Sequence, residues 1–139
     1  MTVVLRTLRV ESNGGGGLSD LTDRVTDEIR ETSLDAGTVT VFVKHTTAAV
    51  TIIEVEPGLV DDYEQFWDRL APREAAYKHH LVPGEDNGHA HVRASTLGPS
   101  LVVPFVDKCM TLGTWQRVVM MDFDTPPRTR EVVLQVMGE

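Results

Sequence analysis

The chain has 139 residues, 41% of them hydrophobic, enough to bury one sizeable core and too few for two ordinary domains. Lys and Arg total 13 against 21 Asp and Glu, a formal charge of −8, so the molecular field repels phosphate backbones and argues against a nucleic-acid partner. The lone cysteine, Cys109, excludes an intramolecular disulfide framework, no stretch approaches membrane-spanning length, and Arg6 and Arg9 interrupt the apolar run a secretory signal needs, so the cytoplasm is the expected compartment.

Residues 2–10 are mostly β-branched or leucine, with Arg6 and Arg9 among them, the composition of a strand with one wet side. Ser12, Asn13 and the glycines at 14–17 end it. Those glycines lack both the Gly-Lys-Ser/Thr ending and the spaced fingerprint of a phosphate-binding loop, so a flexible hairpin-like connection is expected. Leu21, Val25 and Ile29 then recur at helical spacing, with Ser19 or Thr22 as the cap.

Gly37 releases the chain into a strand over 38–43, and a second β-rich run at 48–53 follows His45. Pro57-Gly58 punctuates, after which Val60, Tyr63, Trp67 and Leu70 mark an amphipathic helix whose aromatics belong to the core. Residues 71–88, with Pro72, Pro83 and Gly84, form a long irregular connection of the kind that carries function. Further strands are expected at 91–96, 100–106, 114–123 and 130–137, with Pro104 marking an edge. Alternation sets Trp115 in the core and Gln116 toward a pocket, and Cys109 beside Met110 reads as a small buried hydrophobe. Seven strands and two helices make one α+β domain over 1–139, a largely antiparallel, β-sandwich-like structure.

Four of the five histidines fall between 79 and 91. His89 and His91, two apart on an extended segment, project to one face and let two imidazoles converge on an ion. Arg128 and Arg130, also two apart, suit either a diphosphate's charge or ion pairs at an interface, with the structural role preferred.

Several ordered motifs, His45-Thr-Thr-Ala, Thr51-Ile-Ile-Glu54, Asn87-Gly-His-Ala-His91, Ala94-Ser-Thr-Leu-Gly-Pro-Ser100 and Leu112-Gly-Thr-Trp-Gln116, span almost the entire chain. Together they resemble the YjbQ-like family, described as secondary thiamine-phosphate synthases. The resemblance implies a homotrimer, helices outside a β-sandwich-like body, and a pocket lined by motif residues. It also implies a transferase activity that joins a pyrimidine diphosphate to a thiazole phosphate, releasing pyrophosphate. Carried over by position, His45, His79 and His91 are the metal candidates, while His89 falls at a variable position near the rim and joins Asn87 and Ser95 as a candidate substrate contact. His80 matches no motif and is expected in solvent. Ile53 stands where the family commonly has Asn, which removes a polar group from the pocket, and Lys108 replaces a common glycine in what should be a turn.

Three neutral imidazoles around a divalent ion leave an open position that polarises a phosphate oxygen or acidifies bound water. Zinc is the first choice of ion, with magnesium or manganese as alternatives. Glu54, as base or as partner of a ligating imidazole, completes the catalytic set with His91 and Gln116. Two other readings fit a small phosphorylated or anionic ligand: a metal-dependent hydrolase of a phosphorylated or cyclic metabolite, and a non-catalytic trimeric binder. A triad of Ser95, His91 and Asp86 lacks any nucleophile elbow around the serine.

Overall fold

The computed structural model describes all 139 residues. In chain order the elements are β1 (Thr2–Ser12), β2 (Gly17–Asp20), α1 (Thr22–Arg30), β3 (Ala36–Val43), β4 (Ala48–Ile53), α2 (Pro57–Leu70), a 3-10 turn (Lys78–Leu81), α3 (Gly88–Leu97), β5 (Ser100–Val106), β6 (Cys109–Met110), β7 (Arg117–Asp122) and β8 (Arg128–Gly138). All strand pairs are antiparallel, in a five-stranded sheet ordered β1-β8-β3-β5-β6 and a three-stranded sheet ordered β2-β7-β4. The α+β expectation holds. No helix is long and apolar enough to cross a membrane.

Period-two alternation builds the larger sheet. Val39, Val41 and Val43 of β3, Val132, Leu134 and Val136 of β8, and Val103 and Phe105 of β5 point inward and join α1 through Val25 and Ile29 in the main core. Each such side chain contributes about 1.5–3 kcal/mol of hydrophobic stabilisation. The intervening residues form an outer face with nothing over it, where Val3, Leu5, Phe42, Val102 and Val106 are all exposed.

The smaller sheet is covered on both sides, which is why β7 reads as an unbroken apolar run rather than an alternating one. Its far face carries Ala49 and Met121, which with Phe123 pack against Trp67 of α2 and against Ala90 and Ala94 of α3 in a second core. Trp67 meets Phe123 edge-on at a centroid distance of 5.3 Å. The layers are therefore sheet, sheet and helices.

α3 corrects the strand expected at 91–96. His89 and Arg93, and Ala90 and Ala94, are four apart and all buried, so the period is helical, and Asn87 and Gly98 bound it. Gly98 has φ 108°, the left-handed region in which glycine carries no Cβ penalty. Gly88 is required for room, since a Cβ there would stand 2.5 Å from that of Tyr77.

Other local expectations also change. The glycine loop leads into the short β2, which went unrecognised, and the cap position of α1 is Leu21 rather than Ser19 or Thr22, with no side-chain cap bond; Asp20, one residue earlier, accepts the Thr22 N–H at 3.0 Å. Residues 114–116 lie outside β7, so alternation does not govern Trp115, which is 71% exposed rather than core. Cys109 is exposed too. β6 pairs only with Phe105 and Val106, leaving Pro104 beyond its ladder at a nearly bare edge. Asp107 and Lys108 both have positive φ in the tight turn between β5 and β6, and the Lys108 ammonium donates to the Thr32 carbonyl at 2.9 Å, so the departure at 108 is a turn substitution with its own anchor.

Candidate functional site

The short loop between β3 and β4 presents His45, and α3 presents His91. Both line two adjoining cavities, of about 550 and 360 Å³, which also share Thr46. The larger is walled by Ala48, Val92, Ala94 and Pro99, with Ser95 at its side. The smaller contains no hydrophobic side chain and brings Lys44, Glu85, Asn87 and Arg128 around the same two histidines. Folding thus joins residues 46 positions apart in one cleft with an apolar half and a charged half.

His45 is fixed from behind, its Nε2 accepting the Glu131 backbone N–H at 3.0 Å. Burial, seconded by the Arg130 charge, lowers its pKa against the opposing pull of Glu131 and Asp122. The ring is therefore neutral near pH 7 with its proton on Nδ1. His91 is half-buried and meets the edge of the His79 ring at 4.6 Å between centroids. The His79 Nε2 lies 3.6 Å from a Glu85 carboxylate oxygen and has no hydrogen-bond partner. Glu85 occupies the place beside an imidazole that was expected for Glu54.

The helix separates the two histidines that an extended segment would have aligned. Two residues along α3 are a little over half a turn apart, so His91 opens to the cleft while His89 is 0% exposed. His89 therefore is not a rim residue, and neither ring nitrogen has a hydrogen-bond partner at good geometry. Burial first, then the Arg93 charge, lowers its pKa, although the nearby Phe123 carbonyl acts the other way. His80, expected in solvent, accepts the Gly88 N–H at 3.0 Å and ties the histidine-bearing connection to the start of α3.

Asn87 and Ser95 flank different halves of the cleft. Asn87 is 7% exposed and donates through Nδ2 to Asp124 at 3.2 Å, with its Oδ1 unpartnered. The Ser95 hydroxyl donates to the Val92 carbonyl and is exposed. Glu54 and Gln116 are not brought to the histidines within the chain. β4 meets β7 with Ala48 opposite Asp122 at the cleft and Ile53 opposite Arg117 at the other end. At roughly 3.3 Å per residue, that places Glu54 and Gln116 on the order of 15 Å or more along the sheet. The Gln116 Oε1 there accepts the Gly113 N–H at 2.8 Å.

Beneath the charged half lies a network the sequence reading did not assemble. Arg130 donates twice to Asp122 and once to Thr47, while Asp124 accepts from Thr47, Asn87 and its neighbour's backbone N–H. Burial acts to raise the Asp124 carboxyl, but those hydrogen bonds and the Arg128 charge hold it below its ordinary value. Arg130 pairs with Asp122 inside its own chain, whereas the ion pairs expected for it were at a subunit interface. The pattern Asp122-Phe-Asp124, two acids on one side of a strand end, was the available signal.

The metal expectation fits poorly. No group of three or more His, Cys, Asp or Glu side chains is placed to hold an ion, because His45 spends Nε2 on Glu131 and His79 meets His91 ring to ring. A tetrahedral zinc site requires its donor atoms to point at one centre. No chemical step is therefore routed through zinc, magnesium or manganese.

A family model described as UPF0047 protein YjbQ-like matches residues 6–139. A UPF0047 protein from Archaeoglobus fulgidus is 39% identical over 118 residues, spanning 85% of this chain and 89% of that one. The UPF0047 protein YugU of Bacillus subtilis is 32% identical and covers 97% of this chain and 100% of its own length. Among solved structures, a YbjQ-like protein of unknown function from Sulfolobus solfataricus superimposes with a TM-score of 0.93 at 30% identity, covering 99% of both chains. A YjbQ/UPF0047 protein from Clostridium acetobutylicum gives 0.87 at 31% identity, over 95% of this chain and 99% of that one. The sheet topology, the motif order and these matches agree, and the chain belongs to the YjbQ-like UPF0047 family.

Proposed function

We propose that the cleft binds a small phosphorylated heterocycle and serves a transferase of the thiamine-phosphate-forming type. The observation that carries this reading is that His45 and His91 stand at the junction of a charged cavity and an apolar one. A phosphate suits the half with Lys44 and Arg128, and a ring suits Ala48, Val92 and Pro99. In this reading His91 is the donor to a departing pyrophosphate, and the neutral His45 adds its Nδ1–H. Purified protein given the pyrimidine diphosphate and the thiazole phosphate should form thiamine phosphate and pyrophosphate. Absence of turnover, or turnover unchanged in His91→Ala, defeats the proposal.

We propose further that the working unit is a homotrimer. Support comes from the open apolar face around Leu5 and Val102, which a monomer leaves wet. A metal-dependent hydrolase and a metal-assisted transferase both need an ion for which no group of three donors is placed within the chain, so the transferase is proposed here without one. The non-catalytic binder gains from the same fact and predicts affinity for the phosphorylated halves without product. An unpaired exposed thiol at Cys109 suits the cytoplasm, the compartment proposed for this chain.

A further inference from the structure

Two arginines on one face of β8 have opposite fates. Arg130 is 2% exposed, and its guanidinium is consumed by Asp122 and Thr47. Arg128, at the strand's first position, is 48% exposed and lines the charged half of the cleft. Its closest polar approach is from Nε to the Asp124 Oδ2 at 3.2 Å, an ion pair outside hydrogen-bond geometry, and the guanidinium makes no hydrogen bond within the chain. The carboxylate that holds it is rigid. Asp124 is 2% exposed, and Thr47, Asn87 and the Thr125 N–H fix it from the loop after β3, the start of α3 and its own turn.

The ion pair with the buried Asp124 carboxylate keeps the guanidinium beside the cavity, and its fork matches the spacing of two oxygens on one phosphoryl group. Lys44 stands on the same cavity with its ammonium 3.0 Å from Glu131, and His45 and His91 complete the rim. Glu85 and Asp124 are the opposing charges in this lining; Glu85 is drawn toward His79, and Asp124 is met by Arg128 and Arg130. In a molecule with a net charge of −8, an anion has few other places to be held.

We propose that the terminal nitrogens of Arg128, kept beside the cavity by Asp124, are the docking point for a phosphate or diphosphate group in this cleft. The proposal rests on the reading that the cleft takes a phosphorylated ligand, and it assigns the residue that grips the anion. Arg128 is half in solvent and outside the core, so replacing it leaves the fold intact.

Inorganic pyrophosphate is the probe. Calorimetric titration of the full chain should show one site per chain, and Arg128→Ala should weaken it by about tenfold or more, the effect of losing a charge-assisted pair. Arg128→Lys should recover part of that affinity by restoring the charge without the fork. In protein labelled at arginine nitrogen, the Arg128 Nε signal should move on titration while the Arg130 signal stays still. No binding to the wild type, equal binding to Arg128→Ala, or a stationary Arg128 signal each overturns the proposal. Arg128-dependent pyrophosphate binding without any thiamine phosphate formation would remove the transferase reading and leave this assignment standing.

Discussion

Arg130 and Asp122 form a closed ion pair inside the molecule: Nε donates to Oδ2 at 2.8 Å and Nη2 to Oδ1 at 2.6 Å, with neither residue more than 2% exposed. Both groups left water to make it, so removing one strands the other in a place where it cannot be resolvated. Arg130→Met or Asp122→Leu alone should cost about 3–5 kcal/mol in urea unfolding, whereas the double replacement should cost far less than the sum. Additive losses would mean the pair is hydrated and the floor of the cleft is softer than its geometry indicates.

His89 carries the pH dependence. Its folded pKa lies below the ordinary 6.5, principally through burial. Below about pH 6.5 the unfolded chain accepts a proton that the folded chain refuses, so stability falls as pH drops from there toward the depressed value. His45 shifts in the same direction and adds to the slope. His89→Leu removes two unpartnered buried nitrogens at similar volume, and should raise stability at pH 8 by about 1 kcal/mol. Chemical denaturation at pH 8 and pH 5.5 should show a shallower acid loss in the variant; an unchanged slope assigns the effect elsewhere.

The His80 imidazole closes the first turn of α3. His80→Ala leaves the Gly88 N–H without its acceptor and should cost about 1 kcal/mol. Amide exchange is the direct readout, because the Gly88 proton should exchange markedly faster while amides of β8 do not change.

The uncovered face of the five-stranded sheet predicts self-association. Leu5 is 64% and Val102 57% exposed in the single chain, so Leu5→Glu and Val102→Glu should leave the chain folded and remove only the stability that association lends. Sedimentation should show the wild type as a trimer and the double variant as a smaller species. A wild type that sediments as a monomer removes the homotrimer proposal.

Much of the fold was legible because burial on one side of an element writes a period. Leu21, Val25 and Ile29 announced α1, and the alternating valines of β3 and β8 announced the large sheet. The 91–96 segment misled because alanine, histidine and arginine carry little hydrophobic contrast, so the buried face of α3 shows in spacing only. Trp115 misled because its assignment assumed a strand that begins two residues later. At the site, His45 and His91 were found and do share a cleft, whereas Glu85, Asp122, Asp124 and Lys44 were passed over. Acids and lysines are common surface residues, and apart from the spacing of Asp122 and Asp124 the one-dimensional string carries no mark of which of them the cleft takes.

The residue string alone determined the family, the mixed α+β class and the pair of histidines around which the cleft is built. Only the folded chain decided which imidazoles face that cleft, that Arg130 is buried in its ion pair while Arg128 stays half in solvent beside Asp124, and that Glu54 and Gln116 stand at the far end of their sheet. The reason is directional. Motifs record which atoms are present, but helix phase and strand register set where each atom points, and a hydrogen bond or a ligand contact depends on the pointing.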